Sequence, residues 1–147
     1  MRGMRMAVDR ITVHTRRAFA IARGSSDSFE RVIFSLVEGG ETGRGEAAPT
    51  AYYGAASAKV AEALQHVEVK DPWDIEGTLA RNADLHPSAL AALDAALHDL
   101  AAKRLGVSVY RLLGLARPDL YTDALTRADA RVDQVLAAVP DYRTPRP

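Results

Sequence analysis

The chain has 147 residues, the length of about one domain. It carries 19 Lys+Arg against 19 Asp+Glu, so its net charge is zero, which argues against a general nucleic-acid binder. With 48% hydrophobic residues it can bury a core, but it is too short for a (β/α)₈ barrel, which needs roughly 200 residues or more. The absence of cysteine excludes disulfides, thiolate metal sites and cysteine nucleophiles. Near the N-terminus the apolar run Met6 to Val8 is closed by Asp9 and Arg10. A secretory leader needs roughly 7–15 apolar residues there, and a membrane span about 20. Neither occurs, so the default expectation is a cytoplasmic protein with no membrane and no nucleic-acid partner.

The first third predicts strands. Met6, Val8, Ile11 and Val13 alternate imperfectly with polar residues, with a slip near Asp9 and Arg10. Residues 24–28, Gly-Ser-Ser-Asp-Ser, have loop composition. Residues 29–37 place Val32, Phe34 and Leu36 on one face and Ile33 and Val37 on the other. Glu38-Gly39-Gly40-Glu41 predicts a hairpin turn, since glycine supplies positive φ. Glu38 and Glu41 are expected to be solvated turn charges. Residues 42–48 form a glycine-rich third strand ended by Pro49, and glycine in a strand marks a bulge or a close backbone approach.

Helices follow. Residues 57–67 carry Val60, Ala61, Leu64 and Val67 at helical spacing, with Ser57 as the expected N-cap. Residues 74–82 are a weaker candidate around Ile75 and Leu79. The strongest pattern is 87–105: Pro87 at the start, Ser88 as cap, Leu90, Leu93, Leu97 and Leu100 in a stripe, and Gly106 as the stop. Its alanines form a thin face that a partner could approach. A short helix over 109–113 stops at Gly114. Residues 121–126 read as a strand start and 132–139 as one short helix, and the last eight residues look disordered.

Chemistry-bearing constellations are sparse. The four histidines, at 14, 66, 86 and 98, show no metal-ligand spacing. Asp94 and His98 share a helical face and are followed by Asp99. Hydrogen bonding where the helix packs on another element is the expected role, over an acid–base dyad. Glu46 is expected to bind loop backbone. Arg16, Arg17 and Arg23 beside the Gly-Ser stretch could hold a carboxylate through guanidinium geometry. From the residues alone the chain is a soluble α+β domain.

Residues 89–114, reading ALAALDAALHDLAAKRLGVSVYRLLG, closely resemble the N-terminal signature of the mandelate racemase/muconate lactonizing enzyme branch of the enolase superfamily. Residues 19–25, FAIARGS, and 45–54, GEAAPTAYYG, look like the dipeptide epimerases of the L-Ala-D/L-Glu type, although Ala55-Ala56 stand where that pattern has Glu-Ser. Together the resemblance covers residues 7–126. It implies an enolase N-terminal domain-like α+β fold: a three-stranded antiparallel meander, then a helical bundle. It also implies that segments 19–28 and 49–54 face the substrate. On that basis Arg23 and Ser25 hold a carboxylate or polar end of a dipeptide, and Phe19, Ile21 and Tyr53 shape an apolar wall.

In such enzymes the catalytic lysines and the acidic ligands of Mg²⁺ sit in a barrel after the cap. Only 21 residues follow Thr126, and no lysine follows Lys103. The expectation is therefore a capping domain at 1–126, inactive alone, with no catalytic or metal residue and no Mg²⁺ of its own. Residues 127–147 would be an aberrant or truncated tail, with frameshifted composition. Alternatives are a fragment of a muconate cycloisomerase or o-succinylbenzoate synthase-like enzyme, or a stand-alone binding module. In each case the alanine-rich face of helix 88–105 is expected to be exposed, for self-association or for a barrel domain.

Overall fold

The computed structural model describes residues 3–21, 24–50 and 54–116, with backbone alone for 16–21 and 24–26. Three strands, β1 (Arg5–Ile21), β2 (Gly24–Glu38) and β3 (Glu41–Ala47), form an antiparallel meander in the order β1-β2-β3. Helices α1 (Ser57–Gln65), α2 (Ile75–Arg81), α3 (Pro87–Leu105) and α4 (Val109–Leu112) follow. This is the expected enolase N-terminal domain-like α+β fold, and the described residues contain no barrel. No helix among them is long and apolar enough to cross a membrane. The strand and helix expected at 121–126 and 132–139, and the whole of the 127–147 tail, lie outside the described residues.

The period-two pattern of β2 sets the sheet's inner face. Val32, Phe34 and Leu36 are fully buried, while Ile33 and Val37 on the other face are only partly so. Opposite them on β3 stand Ala47, Gly45 and Gly43, and directly opposed residues share a face. The two glycines leave the strand backbone bare, and α3 lies against it. A Cβ added at Gly45 would stand 1.8 Å from the Ala92 carbonyl oxygen, and one at Gly43 2.1 Å from that of Ala96. The glycine-rich strand is thus a site of close approach. Glycine on the strand and alanine on the helix are one steric solution.

This corrects the expectation that the alanine-rich face of α3 is exposed. Ala89, Ala92, Ala96, Ala101 and Ala102 are buried within the domain, and only Ala91 and Ala95 are exposed. Leu93, Leu97 and Leu100 join Val60, Leu64 and Phe34 in the core. The exposed large apolar side chains near α3 are Leu105, Val107, Leu113 and Leu115 at its end and beyond, with Trp73 against Arg104.

Residues 24–28 are not a loop but the first part of β2. Val13 pairs with Phe29 and His14 with Ser28; the register then shifts and resumes at Phe19↔Ser26, Ala20↔Ser25 and Ile21↔Gly24. Ladder hydrogen bonds come from the backbone, so a segment of polar sequence can pair without an apolar pattern. At the shift four β1 residues, 15–18, stand against the single β2 residue Asp27, three in excess, an irregularity of the kind a bulge makes. Helix starts differ from expectation too. Pro87 occupies the first turn of α3, where its missing N–H costs nothing. The capping position therefore falls on His86, whose Nδ1 accepts the Ser88 N–H at 3.2 Å. The N-cap of α1 is Ala56, without a side-chain bond. Gly106 does end α3, in the left-handed conformation (φ 66°), with the Val107 N–H on the Ala102 carbonyl at 2.9 Å.

Glu38 is not a solvated turn charge. It pairs with Arg104, whose guanidinium also lies over the Trp73 ring at 4.7 Å. Lys103 donates to the Thr42 carbonyl at 2.8 Å, and Asp99 accepts the Arg44 N–H at 2.8 Å. These bonds fasten the β2–β3 turn to the C-terminal half of α3.

Gly45→Ala is expected to lower unfolding stability by about 3 kcal/mol or more, because the helix backbone must retreat. Gly3→Ala, where nothing stands within 4 Å, is expected to change it by less than about 0.5 kcal/mol. Urea unfolding midpoints of the two variants check this.

Candidate functional site

Of the five residues expected to face substrate, Phe19, Ile21 and Ser25 fall on the β1–β2 arm beyond the register shift. Ser25 is paired with Ala20, out of step with Phe19 and Ile21. Arg23 and Tyr53 lie outside the described residues, and so do the side chains of Arg16 and Arg17. The second segment is described at its two ends. The Ala55 N–H donates to the Thr50 carbonyl at 3.2 Å, and Gly54 takes a left-handed φ of 72°. That hydrogen bond closes the turn just ahead of α1.

Two polar clusters brace this end of the sheet. On the inner face, Arg10 Nη2 donates to Glu30 Oε1 at 3.2 Å and to Ser57 Oγ at 3.0 Å. The Ser57 hydroxyl in turn donates to the other Glu30 oxygen, Oε2. On the outer face, Arg31 Nε meets Glu46 Oε1 at 3.0 Å, and the Arg31 guanidinium sits 5.4 Å from the Phe29 ring centroid. Glu46 therefore binds an arginine side chain, where a bond to loop backbone was expected. The inner cluster was missed in the sequence because Ser57 fitted the pattern of a helix cap. One signal was present: Arg10 breaks the inward series Met6, Val8, and a charge on an apolar face calls for a partner.

The Asp94–His98 pair is a contact within α3. His98 Nδ1 is 3.0 Å from Asp94 Oδ1 and 3.1 Å from the Asp94 carbonyl. Asp99, on the next residue, serves the β3 backbone and Lys103 Nζ at 2.7 Å. The expected structural role thus holds for Asp99. Among the described residues no group of three or more His, Cys, Asp or Glu could hold a metal ion. The Mg²⁺ implied by the family resemblance finds no donor set there.

Residues 5–114 match the mandelate racemase/muconate lactonizing enzyme N-terminal domain. The chain is 39% identical over 122 residues to a hydrophobic dipeptide epimerase of Roseobacter litoralis, covering 76% of this chain and 34% of that protein. It is 33% identical over 139 residues to the L-Ala-D/L-Glu epimerase of Escherichia coli, covering 92% and 41%. The crystal structure of a dipeptide epimerase from Methylococcus capsulatus, complexed with Mg and the dipeptide L-Arg-D-Lys, superposes with a TM-score of 0.68 at 28% identity over 77% of this chain and 35% of that one. The chain thus spans 34% to 41% of the length of these relatives.

The inner cluster has an electrostatic consequence. The Ser57 hydroxyl holds the Glu30 carboxyl below its ordinary value of 4.5, and the charge and hydrogen bond of Arg10 add to this against partial desolvation. Glu68 is lowered likewise, by Lys70. A carboxyl with a lowered folded-state value releases its proton more readily in the fold than in the unfolded chain. Ionised Glu30 therefore stabilises the fold above about pH 4.5, and that contribution is lost as the pH falls through the lowered value. The thermal midpoint is expected to drop between about pH 6 and about pH 3, and Glu30→Gln to lower it at the upper pH while flattening part of the drop. Circular dichroism melts across that range check both.

Proposed function

The chain belongs to the mandelate racemase/muconate lactonizing enzyme family through its N-terminal domain, and we propose that it is the substrate-facing cap of a dipeptide epimerase-like isomerase. The observation that carries this reading is the 39% identity over 122 residues to a dipeptide epimerase. The arm bearing Phe19, Ile21 and Ser25, and the turn closed between Thr50 and Ala55, support it as two segments gathered at one end of the sheet. In this reading Arg23 and Ser25 take a carboxylate or polar end of the dipeptide, since a guanidinium donates to both oxygens of a carboxylate at once. Phe19, Ile21 and Tyr53 form the apolar wall. Two relatives are named for hydrophobic and L-Ala-D/L-Glu dipeptides, and the dipeptide epimerase structure holds L-Arg-D-Lys, so the class carried over is the dipeptide. The setting is the cytoplasm.

The chemistry of epimerisation is removal and return of a proton at an α-carbon, which needs a base and a group to hold the enolate charge. The described residues offer no metal donor set, and no lysine follows Lys103. The 147-residue chain by itself is therefore taken to be inactive, and Mg²⁺ to belong to the intact family member.

Incubated with Mg²⁺ and L-Ala-L-Glu in D₂O, the purified chain is expected to leave the Glu α-carbon undeuterated, as followed by NMR; deuterium there overturns the reading of inactivity. Residues 1–126 grafted in place of the matching segment of the Escherichia coli relative are expected to restore exchange, with an altered preference among dipeptides. Arg23→Ala in that graft should lower kcat/KM by about tenfold or more, through loss of a charge-assisted contact. A folded graft without activity on any dipeptide would sink the cap reading.

A further inference from the structure

Arg10, Glu30 and Ser57 come from three different elements, β1, β2 and the first residue of α1, and they close a ring of hydrogen bonds. Ser57 is 4% exposed, whereas the Arg10 and Glu30 side chains are 50% and 56% exposed. A half-exposed ion pair alone contributes little to stability. Here a buried hydroxyl receives from the arginine and donates to the carboxylate, so each bond orients the next. The Ser57 hydroxyl is committed to this ring and not to its own helix, whose start has no side-chain cap.

The ring's position gives it a role beyond stability. Glu30 pairs with Thr12, just before the register shift at which the arm departs from the sheet. Ser57 lies two residues after Ala55, whose N–H closes the turn onto Thr50. One cluster therefore stands at the root of both segments.

We propose that Arg10, Glu30 and Ser57 are positioning residues whose ring couples the β1–β2 arm to the turn closed between Thr50 and Ala55, so that both segments are set as one unit against a dipeptide. The part concerning the dipeptide rests on the cap reading; the coupling stands on the geometry alone.

Amide hydrogen exchange of the full chain tests the coupling without substrate. Ser57→Ala and Glu30→Gln are each expected to speed exchange about tenfold in both the 12–30 and the 50–57 segments, with the double variant no faster than either single one. Exchange in α3 reports the global stability that these variants lower, and it is expected to quicken by clearly less than in the two segments. Arg10→Ala should loosen both segments and Arg10→Lys, which keeps charge and donors, should restore them. Loosening confined to the mutated segment, or effects that multiply in the double variant, would overturn the coupling. In the epimerase graft, Ser57→Ala should raise KM several-fold with kcat retained. Coupled exchange with an unchanged KM would overturn the dipeptide part and leave the coupling intact.

Discussion

No side chain separates α3 from β3 at Gly43 and Gly45, and the fold depends on that bare contact. The added Cβ distances of 2.1 and 1.8 Å to helix carbonyls leave room for nothing larger than hydrogen. Because the backbones meet there, Ala92 and Ala96 must be small, and Phe34 and Leu36 on the neighbouring strand can reach past them to the leucines of α3. The interior is close-packed, so a shift of the helix would be felt through the whole cluster. The other helices follow from this placement. α1 packs beside α3 over β1 and β2, and α2 packs on α3.

Polar contacts then fix the two ends of the frame. At the β2–β3 turn, Glu38 with Arg104, Lys103 with Thr42 and Asp99 with Arg44 tie the hairpin to the helix end. At the opposite end, Arg10, Glu30 and Ser57 act on one face, and Arg31 with Glu46 on the other. The core determines which layers meet, and the charged groups determine how far each end can turn. Directional bonds suit that task better than apolar contact, which has no preferred orientation.

The domain belongs to a family whose members the chain matches over only part of their length. Its described residues gather the β1–β2 arm and the turn closed between Thr50 and Ala55 at one end of the sheet. The arm and the turn lie away from the α3–β3 contact at Gly43 and Gly45.

The sequence by itself determined the meander, the Gly39-Gly40 turn, the span of α3 and its end at Gly106. Each of these rests on local physics: side-chain period, positive φ at glycine, and the fixed φ of proline. The signature at 89–114 also disclosed the family. Only the tertiary structure decided what the small residues were for. Alanines on a helix and glycines on a strand read alike as an open surface or as a tight contact until their partners are known. It also decided that 24–28 pairs as a strand, because ladder bonds come from the backbone and not from the polar side chains that suggested a loop. The roles of Ser57, Glu38 and Glu46 were hidden for a related reason. Their partners lie 27, 66 and 15 residues away in the chain, and a hydrogen bond at such a separation leaves no local pattern.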